Sequence, residues 1–398
     1  MLQIHWHSKT WFKLRFSGFD DEWKTYKLKD LLHNKSSSIS INQLDDNVGN
    51  YPLYGASGFL KCIDFYEMDS DYISIVKDGS GVGNISFHEK NTSVVNTSQY
   101  ILPKENLNIH FIFYLLQTIN LNKYKTGSTI PHIYFKDYSI EKVKIPKYDE
   151  QKKIGILLKN LDAKIEILDN KLQMCQNFKK YLMQQIFTQK LRFDFDEIRL
   201  KSISKINKGK QLNKEHMLEI GKFYVLNGGQ EPSGYTDSWN TSENTVTISE
   251  GGNSCGFVNF NTEKFWSGGH CYYLNKLSEN IDVYYLYSYL KFIEPQIMRL
   301  RVGSGLPNIQ KGDIENIKIK ILPKKEQIKI SNLLLSTDNK ISSIESQKDS
   351  FEIFKKGLLQ QMFVVRINWR CNFKLAKSPS FNKHLLILKN KIIFIIIK

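Results

Sequence analysis

The sequence predicts an α+β protein in which two β-rich globular domains with short helices are separated by two long antiparallel coiled-coil helices, with a pseudo-two-fold internal repeat. Three observations lead to this prediction. An amphipathic stretch without Pro runs from Glu150 to Phe187. A second copy begins at Glu326, 176 residues downstream of Glu150. Short apolar runs separated by Gly, Asn, Asp and Ser precede each copy, which is typical of strands joined by tight turns.

Composition limits the class of protein. A chain of 398 residues has room for two to three domains, and its hydrophobic fraction of 41% excludes a disordered chain. The net charge of +16 points to a polyanionic partner. Residues 364 to 398 carry eight Lys and Arg and no acid, so half of this charge belongs to the tail. The rest of the chain is still basic, which is consistent with nucleic-acid binding.

The cysteines and the apolar segments indicate a cytoplasmic protein with no membrane span. The five cysteines form no CxxC pair and no ligand cluster, and the N-terminus lacks the apolar run of a secretory signal. Leu385 to Ile397 is apolar, but Lys389 and Lys391 interrupt it and it is shorter than the roughly 20 residues that a span needs. We expect an extension there rather than a membrane anchor.

The first module is predicted to contain a lead-in, which is the segment before the β-rich region, followed by that region, a helix, a loop and a last strand. Lys13 to Leu32 predicts a strand and a short helix, whereas residues 1 to 12 show no periodicity. The expected strands are Tyr51 to Tyr54, Tyr72 to Val76, Asn84 to Phe87 and Val94 to Ile101. They are followed by a helix from Ile109 to Leu121, a loop from Gly127 to Ile133 and a strand from Tyr138 to Ile145. Pro146 then introduces the long helix.

The second module repeats this plan with different residues. Its lead-in is Ile198 to Ile206, and its expected strands are Phe223 to Leu226, Val246 to Ser249, Phe257 to Phe260 and His270 to Leu274. The helix from Val283 to Leu290 and the loop from Gly303 to Ile309 complete it. The copies are alike in the long helices and differ across the globular parts, as expected of a protein that reads two different targets.

Each long helix carries an apolar seam at heptad a/d spacing. The predicted seam residues are Ile154, Leu158, Leu161, Ile165, Leu168 and Leu172 in the first helix, and Ile330, Leu334, Ile341, Ile344 and Phe351 in the second. Thr337 and Lys348 replace two apolar positions of the second seam, which costs stability and fixes register. Two matched seams favour pairing of the helices with each other, while packing of each helix on its own domain is the alternative.

A search for catalytic or metal-binding motifs gives none. Asp78 to Gly83 resembles a nucleotide-binding glycine loop, but a strand is expected to follow it where a phosphate site requires a helix. No Walker loop, HExxH or GxSxG is present, and we find neither a methyltransferase catalytic motif nor clustered nuclease acids. We therefore expect no catalytic residue, no metal site and no cofactor in this chain.

The remaining candidates are loop residues suited to DNA binding. Lys and Arg neutralise phosphates and reach guanine, while Asn and Gln can pair bidentately with adenine. In the first module these candidates are Lys77, Ser80, Asn84, Lys125, Ser128, Thr129 and His132. In the second they are Lys208, Lys210, Gln230, Asn253, Ser254, Arg299, Arg301, Ser304, Asn308 and Gln310. The Gly-Ser-x-x-Pro loop that recurs in both modules is the strongest of these signals.

The duplicated plan resembles the specificity (S) subunit of type I restriction–modification systems. The residues that carry the resemblance are Ile130 to Ile133 with Leu306 to Ile309, the helix entries Glu150-Gln151 and Glu326-Gln327 with their preceding prolines, the helix ending Phe178 to Phe187 with its copy, and the opening Lys13 to Phe19 with Trp23. The resemblance covers about residues 13 to 366. It divides the chain into target recognition domains at 13–145 and 190–322, conserved long helices at 146–189 and 323–366, and an atypical tail at 367–398.

The resemblance implies that each target recognition domain reads one half of a bipartite double-stranded DNA sequence through the major groove. The paired helices would set the gap between the halves. Two modification (methyltransferase) subunits would bind S-adenosylmethionine and methylate adenine N6, and restriction (translocase) subunits would use ATP and Mg. A methylation-only system, a coiled-coil scaffold that binds only protein and a fused restriction–methylation enzyme are the alternatives, and the missing catalytic motifs argue against the last. Which bases are read does not follow from the sequence.

Overall fold

The computed structural model describes residues 2–7, 11–44, 47–188, 196–303 and 305–363. The chain divides into two compact units. Unit 1 comprises residues 1–164 and 350–398, and unit 2 comprises residues 165–349. The predicted tail, Ser304 and the predicted start of the second module at 190–195 lie outside the described residues.

Unit 1 contains eleven strands and the first helices among its described residues. The strands are β1 Leu2–His7, β2 Trp11–Phe16, β3 Lys24–Lys27, β4 Leu32–Ser36, β5 Tyr51–Gly55, β6 Gly58–Ile63, β7 Tyr72–Val76, β8 Ile85–His88, β9 Ser93–Val94, β10 Ser98–Pro103 and β11 Lys142–Ile145. The helices are α1 Leu28–Leu31, α2 Ile109–Gln117, α3 Phe135–Tyr138 and the start of α4 Tyr148–Phe187.

A four-stranded antiparallel sheet in the order β4-β10-β7-β8 forms the centre of unit 1. All five residues of β7 are buried, because both faces of the strand are covered: Ile73 and Ile75 pack in the core that contains α2, and Tyr72 packs with Tyr100 in a second cluster. Helix α2 packs its buried face, including Phe111 and Leu115, into the same core. The smaller sheet β6-β5-β9 and the pair β11-β3 complete the globular part. The β7 to β8 turn is thereby held at one end of the central sheet.

Unit 2 repeats the central sheet. Its strands are β12 Asp196–Arg199, β13 Lys205–Lys208, β14 Phe223–Leu226, β15 Gly234–Thr236, β16 Thr245–Ser249, β17 Val258–Asn261, β18 Trp266–Ser267, β19 Cys271–Asn275 and β20 Lys318–Ile321. Its helices are α5 Val283–Phe292, α6 Glu294–Met298, α7 Lys311–Glu315 and most of α8 Lys324–Phe363. The central sheet has the order β13-β19-β16-β17, with buried β16 in the place of β7. The topology of unit 1 thus recurs with different side chains.

The long helices belong to both units. Both α4 and α8 are 40 residues long, or about 60 Å at the rise of an α-helix. In unit 1, Ile154, Leu158 and Leu161 of α4 share a core with Met362 and Phe363 of α8. In unit 2, Met183, Ile186 and Phe187 of α4 share a core with Ile330 and Leu334 of α8. The core of unit 1 thus contains the N-terminal part of α4 and the C-terminal end of α8. The core of unit 2 contains the C-terminal end of α4 and the N-terminal part of α8.

Ion pairs fix the antiparallel direction of the helices. In unit 2, Lys179 pairs with Asp338 at 2.5 Å, and Asp169 pairs with Lys348. The α4 number falls as the α8 number rises, so the helices run in opposite directions. In unit 1, Asp162 pairs with Lys355 at 2.5 Å.

The seam residues contact both the other long helix and the globular parts. Ile154, Leu158, Leu161, Leu168, Ile330, Leu334 and Ile344 are buried, whereas Ile165, Leu172, Ile341 and Phe351 are partly buried. Helix pairing and packing on the globular parts occur together within each unit. The two polar seam residues have partners, since Thr337 donates to the carbonyl of Leu333 and Lys348 pairs with Asp169.

The Gln of the duplicated Glu-Gln at the helix entries ties each helix to its globular part. The Gln151 side chain accepts from the amide of Asn108 and donates to the carbonyl of Pro146, both at 3.0 Å. Gln327 does the same toward Asp282 and Leu322, at 2.9 and 2.7 Å. Glu150 is almost fully buried and receives a bidentate Arg15 and the indole N–H of Trp23, which explains the opening motif.

Most predicted elements are confirmed, with some corrections. Residues 2–7 form a strand that pairs with β2, although the sequence there shows no periodicity. The predicted helix to Leu121 ends at Gln117, and the predicted strand from Tyr138 begins only at Lys142 because α3 precedes it. The predicted strand from Val94 to Ile101 is two strands, β9 and β10. The additions to the predicted elements include β4, β6, β15, β18, β20, α6 and α7. Among the described residues, none of the helices contains an apolar stretch of the length that a membrane span requires.

Candidate nucleic-acid interface

Two loops that are distant in the sequence form one surface in unit 1. The first loop follows β7 and contains Lys77 to Asn84, and the second contains Lys125 to Ile133. The amide of Gly79 donates to the carbonyl of Pro131 at 3.0 Å, and the amide of Ile133 donates to that of Lys77 at 2.9 Å. We call this pair of joined loops the unit 1 platform.

The second loop closes on itself. The amide of Thr126 donates to the carbonyl of His132 at 2.9 Å, and the amide of His132 donates back at 2.7 Å. Gly127 adopts a left-handed φ of +86°, and a Cβ there would lie 2.5 Å from the carbonyl oxygen of Ile130. Only glycine fits this turn without displacing the loop.

The unit 1 platform exposes small polar and cationic side chains. Ser80, Asn84, Lys125, Ser128 and Thr129 are exposed, and Lys77 and His132 are partly buried. His132 Nδ1 lies 2.7 Å from Asp78 Oδ1, which orients the imidazole ring. Lys125 lies beside the Gly83 turn, so the cation belongs to the same surface. All seven residues proposed from the sequence of this module lie on the platform loops or at their ends.

Unit 2 builds the same backbone arrangement. The amide of Gly252 donates to the carbonyl of Pro307 at 2.9 Å, and the amide of Ile309 donates to that of Glu250 at 2.9 Å. Val302 and Asn308 exchange two backbone hydrogen bonds, both at 2.9 Å. Gly303 has a left-handed φ of +101°. The loops at Glu250 to Gly256 and Arg301 to Ile309, without Ser304, form the unit 2 platform.

A buried carboxylate sits under the unit 2 platform. Glu250 is 5% exposed, and its carboxylate accepts from Lys208 Nζ at 2.5 Å and from the Tyr272 hydroxyl at 3.0 Å. His270 Nδ1 lies 3.4 Å from the same carboxylate. Burial, with the neighbouring carboxylate, raises the pKa of Tyr272, so its hydroxyl remains a donor. Glu250 thus holds Lys208 and His270 at the platform edge, and no sequence motif marks Glu250, His270 or Tyr272 as site residues.

The other unit 2 candidates occupy the platform or the strand ends beside it. Asn253, Ser254, Arg301 and Asn308 belong to the platform loops, and Gln310 Nε2 donates to Asn308 Oδ1 at 2.9 Å. Lys208 and Lys210 lie at the end of β13, where the amide of Lys210 donates to the carbonyl of Ser267. Gln230 lies in the β14 to β15 loop and Arg299 directly after α6, both exposed. Among these candidates, Gln310 contacts Asn308, and Lys208 contacts the platform through Glu250.

The platforms share their backbone and differ in their side chains. The hydrogen bonds make Lys77 equivalent to Glu250, Asp78 to Gly251 and His132 to Asn308. A cation therefore stands in one platform where a buried carboxylate stands in the other. Two surfaces with the same backbone but different chemistry can recognise different partners of the same kind.

The described residues give no indication of metal chemistry. They contain no group of three or more His, Cys, Asp or Glu arranged to hold an ion. The strand β8 follows the Asp78 to Gly83 turn, so this glycine-rich segment is a β-turn rather than a loop opening a helix. Burial raises the pKa of the thiols of Cys255 and Cys271, which disfavours the reactive thiolate form of these two residues.

Comparison with known proteins identifies the family. The family model for the type I restriction modification DNA specificity domain matches residues 20–175 and again residues 193–352. The chain belongs to this family. Its two matches correspond to the two modules of the internal repeat, and the long helices and platforms described above lie within them or at their ends.

Three relatives illustrate the likeness. A type I specificity subunit protein of Mycoplasma genitalium is 33% identical over 147 residues, which cover 36% of this chain and 38% of that protein. A type I restriction enzyme specificity subunit protein of Methanocaldococcus jannaschii is 23% identical over 89% of this chain and 96% of its own length. The crystal structure of an M. genitalium type I restriction–modification S subunit has the same fold, with a TM-score of 0.74, 20% identity and coverage of 87% of this chain and 97% of that one.

Proposed function

We propose that this chain is the sequence-specific DNA-binding subunit of a type I restriction–modification complex, with each unit reading one half of a bipartite target in the major groove. The observation that carries the proposal is the pair of platforms, which have the same backbone hydrogen bonds and different side chains. Two platforms with the same backbone suit two partners of the same shape, namely two stretches of one DNA duplex. Different side chains suit different base sequences.

The side chains of the platforms have the chemistry that DNA reading needs. Lys125 in the unit 1 platform and Arg301 in the unit 2 platform can neutralise phosphates, and so can Lys210 at the strand end beside the unit 2 platform. Asn308 can pair with adenine, and its bond from Gln310 defines which way its amide faces. Glu250 restrains Lys208, which would otherwise be a mobile exposed side chain.

We further propose that the lengths of α4 and α8 set the number of unread base pairs between the half-sites. Both helices are continuous over 40 residues and are tied to the globular parts by equivalent buried glutamines. A change in helix length would therefore be transmitted to the globular parts that read the DNA rather than absorbed by a flexible linker.

The chemistry of the complex is assigned to other subunits in this proposal. Two modification subunits would bring S-adenosylmethionine and methylate adenine N6 after base flipping. Restriction subunits would bring ATP-dependent cleavage with Mg, and a methylation-only system would lack them. This chain would contribute no catalytic residue and would bind DNA and its partner subunits.

Mapping of N6-methyladenine in a host that co-expresses this chain with its modification subunits tests the proposal. A two-part motif with a fixed gap is the expected result, and one heptad inserted into each long helix should change the gap and leave both halves unchanged. A complex that assembles but has no salt-dependent DNA affinity would favour the protein scaffold instead. Half-sites that change with the insertion would contradict the separate roles of helices and platforms.

A further inference from the structure

The tip of each platform carries a large aliphatic side chain that faces solvent. Ile130 is 58% exposed, and Leu306, its equivalent in the repeat, is 88% exposed. Each stands directly before the proline whose carbonyl joins the two loops of its platform. Single exposed aliphatic residues are common on protein surfaces, so exposure by itself indicates nothing. Its recurrence at the same place in both copies requires an explanation.

The aliphatic tip is kept where the neighbouring side chains change. Between the copies, Lys77 is replaced by Glu250 and His132 by Asn308. Side chains that select bases must differ if the two units read different half-sites. A side chain whose chemistry is the same in both units fits a step that both half-sites share.

The loop holds the backbone of this residue at its tip. The two backbone hydrogen bonds between Thr126 and His132 close the loop below Ile130, and Val302 and Asn308 do the same below Leu306. The following proline restricts each tip residue to extended backbone conformations. A backbone that is already restrained loses little conformational entropy when the tip residue inserts into a partner.

The surroundings favour DNA as that partner over an apolar pocket of a protein. Lys125, Ser128 and Thr129 are exposed on the same loop as Ile130. Arg301 is exposed on the same loop as Leu306, and Asn308 follows it two residues later. Cations and hydroxyl donors around a single aliphatic residue match phosphates around a base step.

We propose that Ile130 and Leu306 act as wedges that enter the base stack, each unstacking one base step in its own half-site. This inference rests on the proposed function and adds the contact that both units share. Aliphatic side chains of this size open base steps and bend the duplex in proteins that deform DNA. An opened step would make it easier for the modification subunit to rotate the target adenine out of the duplex.

Fluorescence of 2-aminopurine tests the wedges, because this base analogue brightens when it is unstacked. The full chain, co-purified with its modification subunits, is added to duplexes that carry the mapped target with 2-aminopurine at successive positions. We expect a severalfold increase at one step in each half-site. Ile130→Ala should remove the increase in the first half-site only, and Leu306→Ala in the second only.

Matched variants separate the wedge from a structural role. Ile130→Leu and Leu306→Ile keep an aliphatic side chain and should retain most of the fluorescence increase. The Ala variants should weaken DNA binding by about tenfold or less, since the phosphate contacts remain. Because both side chains are largely exposed, the Ala variants should keep the thermal midpoint of the wild-type chain.

Three results would overturn the inference. Sequence-specific binding with no fluorescence increase at any step would refute the wedges and leave the proposed function standing. Loss of the modification subunits from either Ala variant would show that the tip contacts protein instead. Absence of sequence-specific binding by the wild-type complex would refute the proposed function and the wedges together.

Discussion

The stability of unit 1 should depend on pH through His88. This residue lies at the end of β8, is 8% exposed, and has its Nε2 2.9 Å from the Ser74 hydroxyl. Its ring stacks on Tyr72 at 5.0 Å and lies 4.5 Å from Tyr54. Burial lowers the pKa of His88 from 6.5 to about 4, because the charged imidazole cannot be solvated there.

The sign and size of the effect follow from linkage. The unfolded chain takes up a proton on His88 near pH 6.5, whereas the folded chain takes it up only near pH 4. The stabilisation is therefore complete above pH 6.5 and is lost as the pH falls toward 4. At about 1.4 kcal/mol per pKa unit, the total is about 3 kcal/mol, of which about 2 kcal/mol is already lost at pH 5. This is a large part of the stability of an ordinary domain.

Hydrogen exchange of the β7 amides, followed by mass spectrometry between pH 7.5 and 5, measures this loss. The His88→Gln variant is the control, since its amide can still bond the Ser74 hydroxyl but cannot become charged. The free energy of opening of β7 in the wild type should fall by about 2 kcal/mol over this range relative to that in the variant. The β16 amides of unit 2 should show no such difference. An identical pH dependence in wild type and variant would refute the reasoning.

Three further predictions concern the platform and the helix entries. Gly127→Ala should weaken binding of the first half-site about tenfold in a DNA titration, because the added Cβ meets the Ile130 carbonyl at a φ of +86°. Gly312→Ala is the control and should leave binding unchanged, because its Cβ meets open space. Gln151→Leu should lower the free energy of unfolding by about 2 kcal/mol in urea, since it leaves a buried carbonyl and an amide without partners. A double-mutant cycle of Asp162→Asn and Lys355→Gln should give a coupling of only about 0.5 kcal/mol, because both side chains are partly exposed.

The long helices are well predicted from the sequence because their signal is local. The heptad spacing and the absence of Pro fix a helix from any window of the stretch, so the expected start at Glu150 differs from the observed Tyr148 by two residues. The buried strand β7 is also predicted within its observed bounds. Short elements such as β15 and α6 escape prediction, since three to five residues carry too little periodicity and depend on tertiary partners.

The platforms are predictable only in part. Their loops stand out by Gly, Ser and Pro content, but the bond between Gly79 and Pro131 joins residues that no sequence pattern connects. In the sequence, Glu250 is only the first residue of a glycine-rich turn, because nothing local indicates that Lys208 and Tyr272 surround its carboxylate. The repeat itself offers the missing signal, since Glu250 stands where the first module has a lysine.

Methylation maps of the wild type and of two equivalent variants test the central claim most directly. His132 and Asn308 occupy the same backbone position in the two platforms. We predict that the wild-type complex methylates a two-part motif, that His132→Ala relaxes the sequence requirement in one part only, and that Asn308→Ala relaxes it in the other part only. An unbroken motif, or a single substitution that alters both parts, would contradict the assignment of one half-site to each unit.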